Sequence, residues 1–315
     1  MKATARANTN IALIKYWGKK DEALNLPLQS SISMTVDKFF TDTTVTYKEQ
    51  LMEDQLYIDD KFISGDEKAR VVRFMDFVRK EYNIPFYAEI VSYNYVPKKA
   101  GVASSSSAFA SLALAATKAY NLNLSEKELS SLARFGSGSA ARSIYNDLAI
   151  WHEGDSHETS YAERFAQADD LALLVCMIDP SEKKIDSRTG MKALDALPEL
   201  KAYWKEESKR MLEAFIEAFD QGDINRYGLI VELNALLMHT VMKDSGIIYL
   251  QEKSMEIIEL TGVLRQQGFP VFATMDAGPN VKILTKKDQV KYVLPIYEQY
   301  ASVIVCHKGE GVKLK

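Results

Sequence analysis

The sequence predicts a chain of mixed helices and strands arranged as two domains. Three observations lead there: β-branched runs of period two, apolar runs of period 3.6, and a turn to polar composition at Pro180-Ser181-Glu182-Lys183-Lys184. At 315 residues there is room for two cores of ordinary size. The boundary is placed near 180, giving domains 1–180 and 181–315.

The elements follow in order. A short strand is expected to end near Asn10, because the next segment carries Lys15, Tyr16, Trp17 and Lys19, too many polar and aromatic tips for a plain core strand. Ser31-Ile32-Ser33-Met34-Thr35-Val36 and Thr41-Asp42-Thr43-Thr44-Val45-Thr46-Tyr47 alternate and read as paired antiparallel strands, with Gln55–Ile58 as a third. After the polar Gly65-Asp66-Glu67 turn, Val71, Phe74, Met75, Val78 and Tyr82 share one helical face, and Tyr87–Tyr93 returns to strand. Phe109, Leu112, Ala113, Ala116 and Tyr120 mark a helix opening behind the small, hydroxyl-rich run that begins at Pro97. Ser125-Glu126-Lys127-Glu128 is a capping box leading into a helix with Leu129, Leu132 and Ala133 inward. Leu171–Ile178 is a buried strand expected to close the first half.

In the second half, Trp204, Met211, Leu212, Phe215 and Phe219 form one helix face, and Tyr227, Ile230, Val231, Asn234 and Met238 another. Ile257, Leu260 and Leu264 form a third, which ends at Gly268. Val271–Met275 and Val281–Leu284 are strands joined by the turn Asp276-Ala277-Gly278-Pro279-Asn280. A helix from about Asp288 to Tyr300, interrupted at Pro295, and a strand at Ser302–Cys306 complete the chain.

Composition narrows the function classes. Hydrophobic residues make up 47% and charged residues 26%, with a net charge of −4 and the basic residues dispersed among carboxylates, which argues against a nucleic-acid partner. No run is long enough to cross a bilayer, and the N-terminus lacks the layout of a secretory signal. Cys176 and Cys306 sit in apolar runs and are expected as buried thiols in a reducing compartment, so the cytoplasm is the default location. The four histidines show no metal-ligand spacing.

The chemistry concentrates in five stretches. Small residues from Gly101 to Ser107 before a helix allow backbone N–H groups and the positive end of the helix dipole to approach an anion, and Lys98 and Lys99 add charge at the entrance. A plain Ser-rich connector is the alternative. Gly136-Ser137-Gly138-Ser139-Ala140-Ala141-Arg142-Ser143 again exposes backbone donors, beside an arginine whose planar fork suits phosphate oxygens; the alternative is a flexible turn. Lys15 and Lys19 form a basic cluster or a solvated turn, and Ser187-Arg188-Thr189-Gly190-Met191 pairs a hydroxyl with an arginine. Asp276, a lone carboxylate amid this positive charge, would stay ionised and could accept a proton from a substrate hydroxyl, unless it merely forms the turn. Together they suit phosphoryl transfer to a hydroxyl.

Asn10-Ile11-Ala12-Leu13-Ile14-Lys15-Tyr16-Trp17-Gly18-Lys19, residues 97–107, 136–143 and 187–191, and Thr274-Met275-Asp276-Ala277-Gly278-Pro279-Asn280 resemble, in order, the motif set of the diphosphomevalonate decarboxylases of the GHMP kinase superfamily. The resemblance implies a two-domain α+β GHMP kinase fold with the substrate cleft between the halves. It also implies ATP and Mg²⁺ as cofactors, 5-diphosphomevalonate as substrate, and a homodimer. Asp276 is implied as the catalytic carboxylate near the 3-hydroxyl, Lys15 as its cationic neighbour, and Arg142 as the residue holding the departing carboxylate. Tyr16, Lys19, Ser137, Gly138, Ser139, Arg142, Ser187, Arg188 and Met191 match substrate-binding positions, and Gly101, Ala103, Ser104, Ser105 and Ser106 the nucleotide-phosphate loop, with a serine near Mg²⁺. Lys98, Lys99, Val102, Asn146-Asp147 and the 240–248 segment depart from the family pattern. Three readings stay open beside it: a decarboxylase of the 5-monophosphate, a relative that only phosphorylates, and a catalytically silent paralogue.

Overall fold

Two long antiparallel strands organise the first half. The computed structural model describes residues 1–96, 104–178 and 185–315. β1 (Lys2–Ile14) is followed by the short pair β2 (Lys19–Asp21) and β3 (Leu26–Pro27), then by β4 (Ser31–Lys48). β1 runs past Asn10, because Ile11-Ala12-Leu13-Ile14 goes on pairing with β4 and buries Ile11, Leu13 and Ile14 completely. The two strands expected between Ser31 and Tyr47 are one: Asp37-Lys38-Phe39-Phe40 holds no Gly, Pro or Asn-Gly step to reverse the chain. Irregularities in the β1–β4 register, between Asn8 and Asn10 and between Ala12 and Ile14, absorb the twist of so long a pair.

β5 (Gln55–Ile58) and β6 (Lys61–Phe62) lead into α1 (Gly65–Tyr82), so the polar Gly65-Asp66-Glu67 segment is the helix's own first turn, with its acids at the positive end of the dipole. β7 (Tyr87–Asn94) pairs with the second half of β4.

α2 spans Ser104–Ala119, so the serines form its first turn rather than a loop before it. Its small residues let it lie closely on the sheet, and hydroxyls bridge the two layers: Ser107 contacts Thr9 at 3.2 Å and Thr41 at 2.8 Å, and Ser111 contacts Thr43 at 2.8 Å. Part of the hydroxyl-rich sequence is therefore glue between helix and sheet. Gly101 and Ala103, together with Lys98 and Lys99, lie outside the described residues.

α3 (Glu126–Gly136) opens with the expected capping box, Ser125 accepting from the Glu128 N–H at 3.3 Å while the Ser125 N–H donates to the Glu128 carboxylate at 2.7 Å. A 3-10 helix follows at Gly138–Ile144, then β8 (Leu148–Trp151), paired with the first half of β4, and β9 (Ala162–Ala166). Gly136 sits where α3 meets α2, and a Cβ there would lie 2.0 Å from the Phe109 ring. Phe74 meets that ring edge-on and Arg70 lies 4.4 Å above its centre, so it has little room to retreat. Gly136→Ala is expected to cost about 1–3 kcal/mol of stability by overpacking, read as a lowered urea midpoint at unchanged slope.

β10 (Leu171–Met177) corrects the sequence expectation. It does not close the first half; it is an inner strand of a second sheet, ordered β11-β12-β10-β13. An apolar strand with Leu171–Cys176 wholly buried needs partners on both edges, and β12 and β13 supply them. The segment of changed composition, 179–184, lies outside the described residues.

The second half continues with α4 (Ser187–Ala193), α5 (Pro198–Asp220), α6 (Ile224–Asp244) and α7 (Glu252–Gln266). Then come β11 (Val271–Met275), β12 (Val281–Lys286), α8 (Val290–Tyr297, with Pro295 inside) and β13 (Ser302–Cys306). Finally β14 (Lys313–Leu314) returns to pair with β1, so the chain's tail edges the first sheet. The halves share a core in which Ile11, Leu13 and Ile14 of β1 join Phe215, Phe272 and Leu284. That shared core fixes the end of β1 against α6 and β11, where the cleft lies. Among the described residues no helix is long and apolar enough to cross a membrane.

Candidate active site

The end of β1 and the end of β11 meet at the floor of the cleft. Lys15, the first residue after β1, is 1% exposed, and its Nζ donates to Asp276 Oδ1 at 2.8 Å and to the Ala12 carbonyl at 2.9 Å. Its own N–H is held by Asn234 Oδ1 of α6 at 2.7 Å, which couples the two halves here. Asp276 follows the fully buried β11 in a turn closed by Gly278 N–H to Asp276 O at 2.7 Å and pinned from α7 by the Ser254 hydroxyl on the Pro279 carbonyl at 2.7 Å. A second lysine reaches the same carboxylate: Lys282 Nζ lies 3.1 Å from Asp276 Oδ2.

Burial alone would push the Asp276 carboxyl up; the two ammonium groups outweigh it and hold Asp276 well below the usual carboxylate range. Burial lowers the Lys15 ammonium to about 8, against the opposing pull of Asp276. Lys282 was missed by sequence reasoning, although a lysine inside Val281-Lys282-Ile283-Leu284 is the available signal: a charge within an apolar strand requires a partner.

Arg142 forms one wall. It comes from the 3-10 helix and is 2% exposed, with Nε donating to Ser33 Oγ at 2.9 Å and Asn10 Oδ1 at 3.3 Å, and Nη1 donating to Ser31 Oγ. Asn10 Nδ2 in turn donates to the Ser139 carbonyl at 2.9 Å and to Ser143 Oγ at 2.8 Å. Among the described residues these acceptors of Arg142 are all neutral, so a buried cation faces the cavity without a bonded carboxylate; burial lowers it to about 10. An incoming anion would complete it.

Tyr16 packs edge-on against Trp151 at 4.8 Å, and its hydroxyl is buried without a hydrogen-bond partner. Gly138 permits this: a Cβ there would sit 3.0 Å from that hydroxyl and 2.8 Å from the Trp151 ring. Such an orphan hydroxyl at a cavity wall is a ready contact for a ligand.

The cavity, about 330 Å³, is lined by Lys15, Tyr16, Lys19, Arg142, Arg188 and Asp276, and also by Ser105, Ser137, Gly138, Ser139, Ser187 and Met191. Ser104 and Ser106 stand beside Ser105 on α2 without lining the cavity. Ser187, Arg188 and Met191 sit on α4, started by the Asp186 cap, whose Oδ1 accepts from Arg188 N–H at 2.8 Å and Thr189 N–H at 3.1 Å. Lys19 pairs with Glu22 at 3.1 Å. Arg70 and Asn25 also line the cavity and were not foreseen. Arg70 arrives from α1, far in sequence from every motif, and donates to the Gly136 carbonyl at 3.0 Å. An adjoining hollow of about 600 Å³ adds Arg73 and Lys192 to Arg70, Arg188 and Lys19.

A polyphosphate fits this chemistry. The cations outnumber the carboxylates around the cavity, α2 presents its amino end with no acid in the first turn, and Ser105 Oγ lies 3.1 Å from Ser137 Oγ.

Comparison with known proteins agrees. Residues 7–162 match the family model for the diphosphomevalonate decarboxylase-like N-terminal domain, and residues 173–310 that for the mevalonate 5-diphosphate decarboxylase C-terminal domain. The diphosphomevalonate decarboxylase of Candida albicans is 32% identical, over 96% of this chain and 89% of its own. The crystal structure of mevalonate diphosphate decarboxylase from Staphylococcus aureus superposes with a TM-score of 0.95 at 41% identity, covering 100% of this chain and 98% of that one. The structure of MDDEF in complex with MVAPP, AMPPCP and magnesium superposes with a TM-score of 0.94 at 38% identity, covering 100% and 99%.

Proposed function

Because the chain belongs to the diphosphomevalonate decarboxylases, a GHMP kinase-type family, we propose that it converts (R)-5-diphosphomevalonate to isopentenyl diphosphate, CO2, ADP and phosphate by first phosphorylating the 3-hydroxyl with ATP. The observation that carries this reading is the Lys15–Asp276 pair, a buried lysine on a carboxylate open to the cleft, at the floor of a cavity whose other charged walls are mainly cationic.

Tyr16, Lys19, Ser137, Gly138, Ser139, Ser187, Arg188 and Met191 bind the substrate, the cations taking its diphosphate. Arg142 takes its carboxylate. Held at both ends, the substrate presents its tertiary hydroxyl to Asp276. ATP with Mg²⁺ supplies the phosphoryl group and neutralises charge on it when bound. Ser105, which lines the cavity at the amino end of α2, holds the phosphates in this reading, and Ser104, Ser106, Gly101 and Ala103 belong to the same proposal.

Clamped between two ammonium groups, Asp276 is too weakly basic to drive proton removal strongly, and a loose phosphoryl transfer asks little of a base. Its main contribution is to accept a hydrogen bond from the hydroxyl and orient it. In the second step, loss of phosphate from a tertiary carbon builds positive charge, and the fixed negative charge of Asp276 stabilises it.

Lys15 must remain charged to balance Asp276 and the incoming phosphate. In the free chain it holds its proton below about pH 8 and loses it above, so kcat/KM is expected to be level on the acid side of that value and to fall as pH rises through it. A kcat/KM–pH profile checks this.

The hollow carrying Arg70, Arg73 and Lys192 supports two phosphates on the substrate rather than one. The test is kcat/KM for CO2 release from the 5-diphosphate and from the 5-monophosphate of mevalonate: the reading requires the diphosphate to be favoured, and a preference for the monophosphate overturns it. A cytoplasmic location, supported by two buried free cysteines, and a homodimer belong to the same proposal, and light scattering in solution checks the second.

A further inference from the structure

Lys282 is completely buried in the middle of a sheet, one of the most costly places for an ammonium group. It sits on β12 opposite Thr274 of β11 and Val175 of β10. Its Nζ lies 3.1 Å from Asp276 Oδ2 and donates weakly to the Asn280 carbonyl at 3.3 Å. Lys15 already pairs with the other oxygen, Oδ1, at 2.8 Å. One buried lysine would make a neutral pair with Asp276; two leave a net positive charge below the cavity. Stability gives no reason for the surplus, since an apolar side chain in the strand would avoid the desolvation cost. What the second lysine does provide is a grip on the carboxylate from both sides, one lysine from each half of the molecule.

We propose that Lys282 is a positioning residue for the decarboxylation: its ammonium fixes the second oxygen of Asp276 and sets the charge of the Lys15–Asp276 pair from behind. This rests on the reading of Asp276 given above. Lys282 acts through Asp276 and does not line the cavity itself. The other titratable and charged groups facing the trio are His239 of α6, Cys176 of β10 and Arg142 of the 3-10 helix. Burial lowers His239 to about 4, raises Cys176 to about 12 and lowers Arg142 to about 10. Between pH 6 and 9 the titration of Lys15 is therefore read against neighbours of constant charge.

The experiment titrates full-length protein labelled with ¹³Cε-lysine by NMR, without substrate, in the native chain and in Lys282→Met, Lys282→Gln and Lys282→Arg. Removing a like charge favours protonated Lys15, so in Lys282→Met its midpoint is expected to move up by about one pH unit. Lys282→Gln, which keeps a donor for the Asn280 carbonyl, is expected to behave alike and serves if the methionine variant does not fold. Lys282→Arg is expected to leave the midpoint near that of the native chain. In assays with ATP, Mg²⁺ and 5-diphosphomevalonate, the neutral variants are expected to lose about 10- to 100-fold in kcat, with either KM changed less than threefold, and Lys282→Arg to recover most of the loss. An unmoved Lys15 midpoint in a folded neutral variant overturns the proposal, as does equal loss of kcat in Lys282→Arg and Lys282→Met. A native chain that releases no CO2 fails the functional reading instead, while the substrate-free titration still decides whether Lys282 sets the charge of the pair.

Discussion

Asp276→Asn is expected to lower kcat for CO2 release by about 10⁴-fold while nucleotide affinity stays within a few-fold of the native chain. The amide keeps the shape and a hydrogen-bonding oxygen, so a loss of that size would come from the missing negative charge. That charge is used twice, once to orient the acceptor hydroxyl and once to face the carbon from which phosphate departs. The substitution also leaves Lys15 and Lys282 as buried cations without their counter-ion, and breaking such a pair typically costs about 3–5 kcal/mol. Thermal unfolding and nucleotide titration are therefore measured with the kinetics. If ATP affinity fell as far as kcat, Asp276 would be structural.

Arg142→Lys is the second large effect, about 10²- to 10³-fold in kcat/KM. The guanidinium is held in a cage of Ser31, Ser33 and Asn10, with part of its fork left to meet the cavity. Lysine keeps the charge but cannot bond the cage and grip a carboxylate in the same plane. The loss should appear mainly in the substrate term, with the KM for ATP little changed and Tm lowered only modestly. Steady-state kinetics with each substrate varied in turn checks it. An equal rise in both KM values would place Arg142 in the architecture of the cleft rather than on the substrate carboxylate.

Much of the fold was legible because its signals are local. The capping box at Ser125 and Glu128, the periodic helices after Pro198 and the β11–β12 hairpin around Asp276 each need only a few neighbouring residues to be recognised. What went unseen depends on contacts distant in sequence. Within Ser31–Tyr47 the one local sign of a single strand is the lack of turn residues at Asp37-Lys38-Phe39-Phe40; what holds it as one strand is β1 running alongside it. β10 reads as a buried strand, yet its sheet is decided by β12 and β13, which lie about a hundred residues further on. The site divides in the same way. Lys15, Arg142, Arg188 and Asp276 stand out as charges in unusual settings, and the fold brings all four to one cavity. Arg70 looks like any solvated arginine on the amphipathic α1, and Lys282 is a single residue in a strand; only packing turns the first toward the cavity and the second toward Asp276.

The central claim is that one site both phosphorylates and decarboxylates, with Lys15, Arg142 and Asp276 at its centre. It is tested most directly by measuring ADP, phosphate and CO2 together in one reaction containing the native chain, ATP, Mg²⁺ and (R)-5-diphosphomevalonate. The account predicts that the three products appear in equal amounts, and that all three vanish together in Asp276→Asn. ADP formed without CO2, or no turnover with any phosphorylated mevalonate, would contradict it.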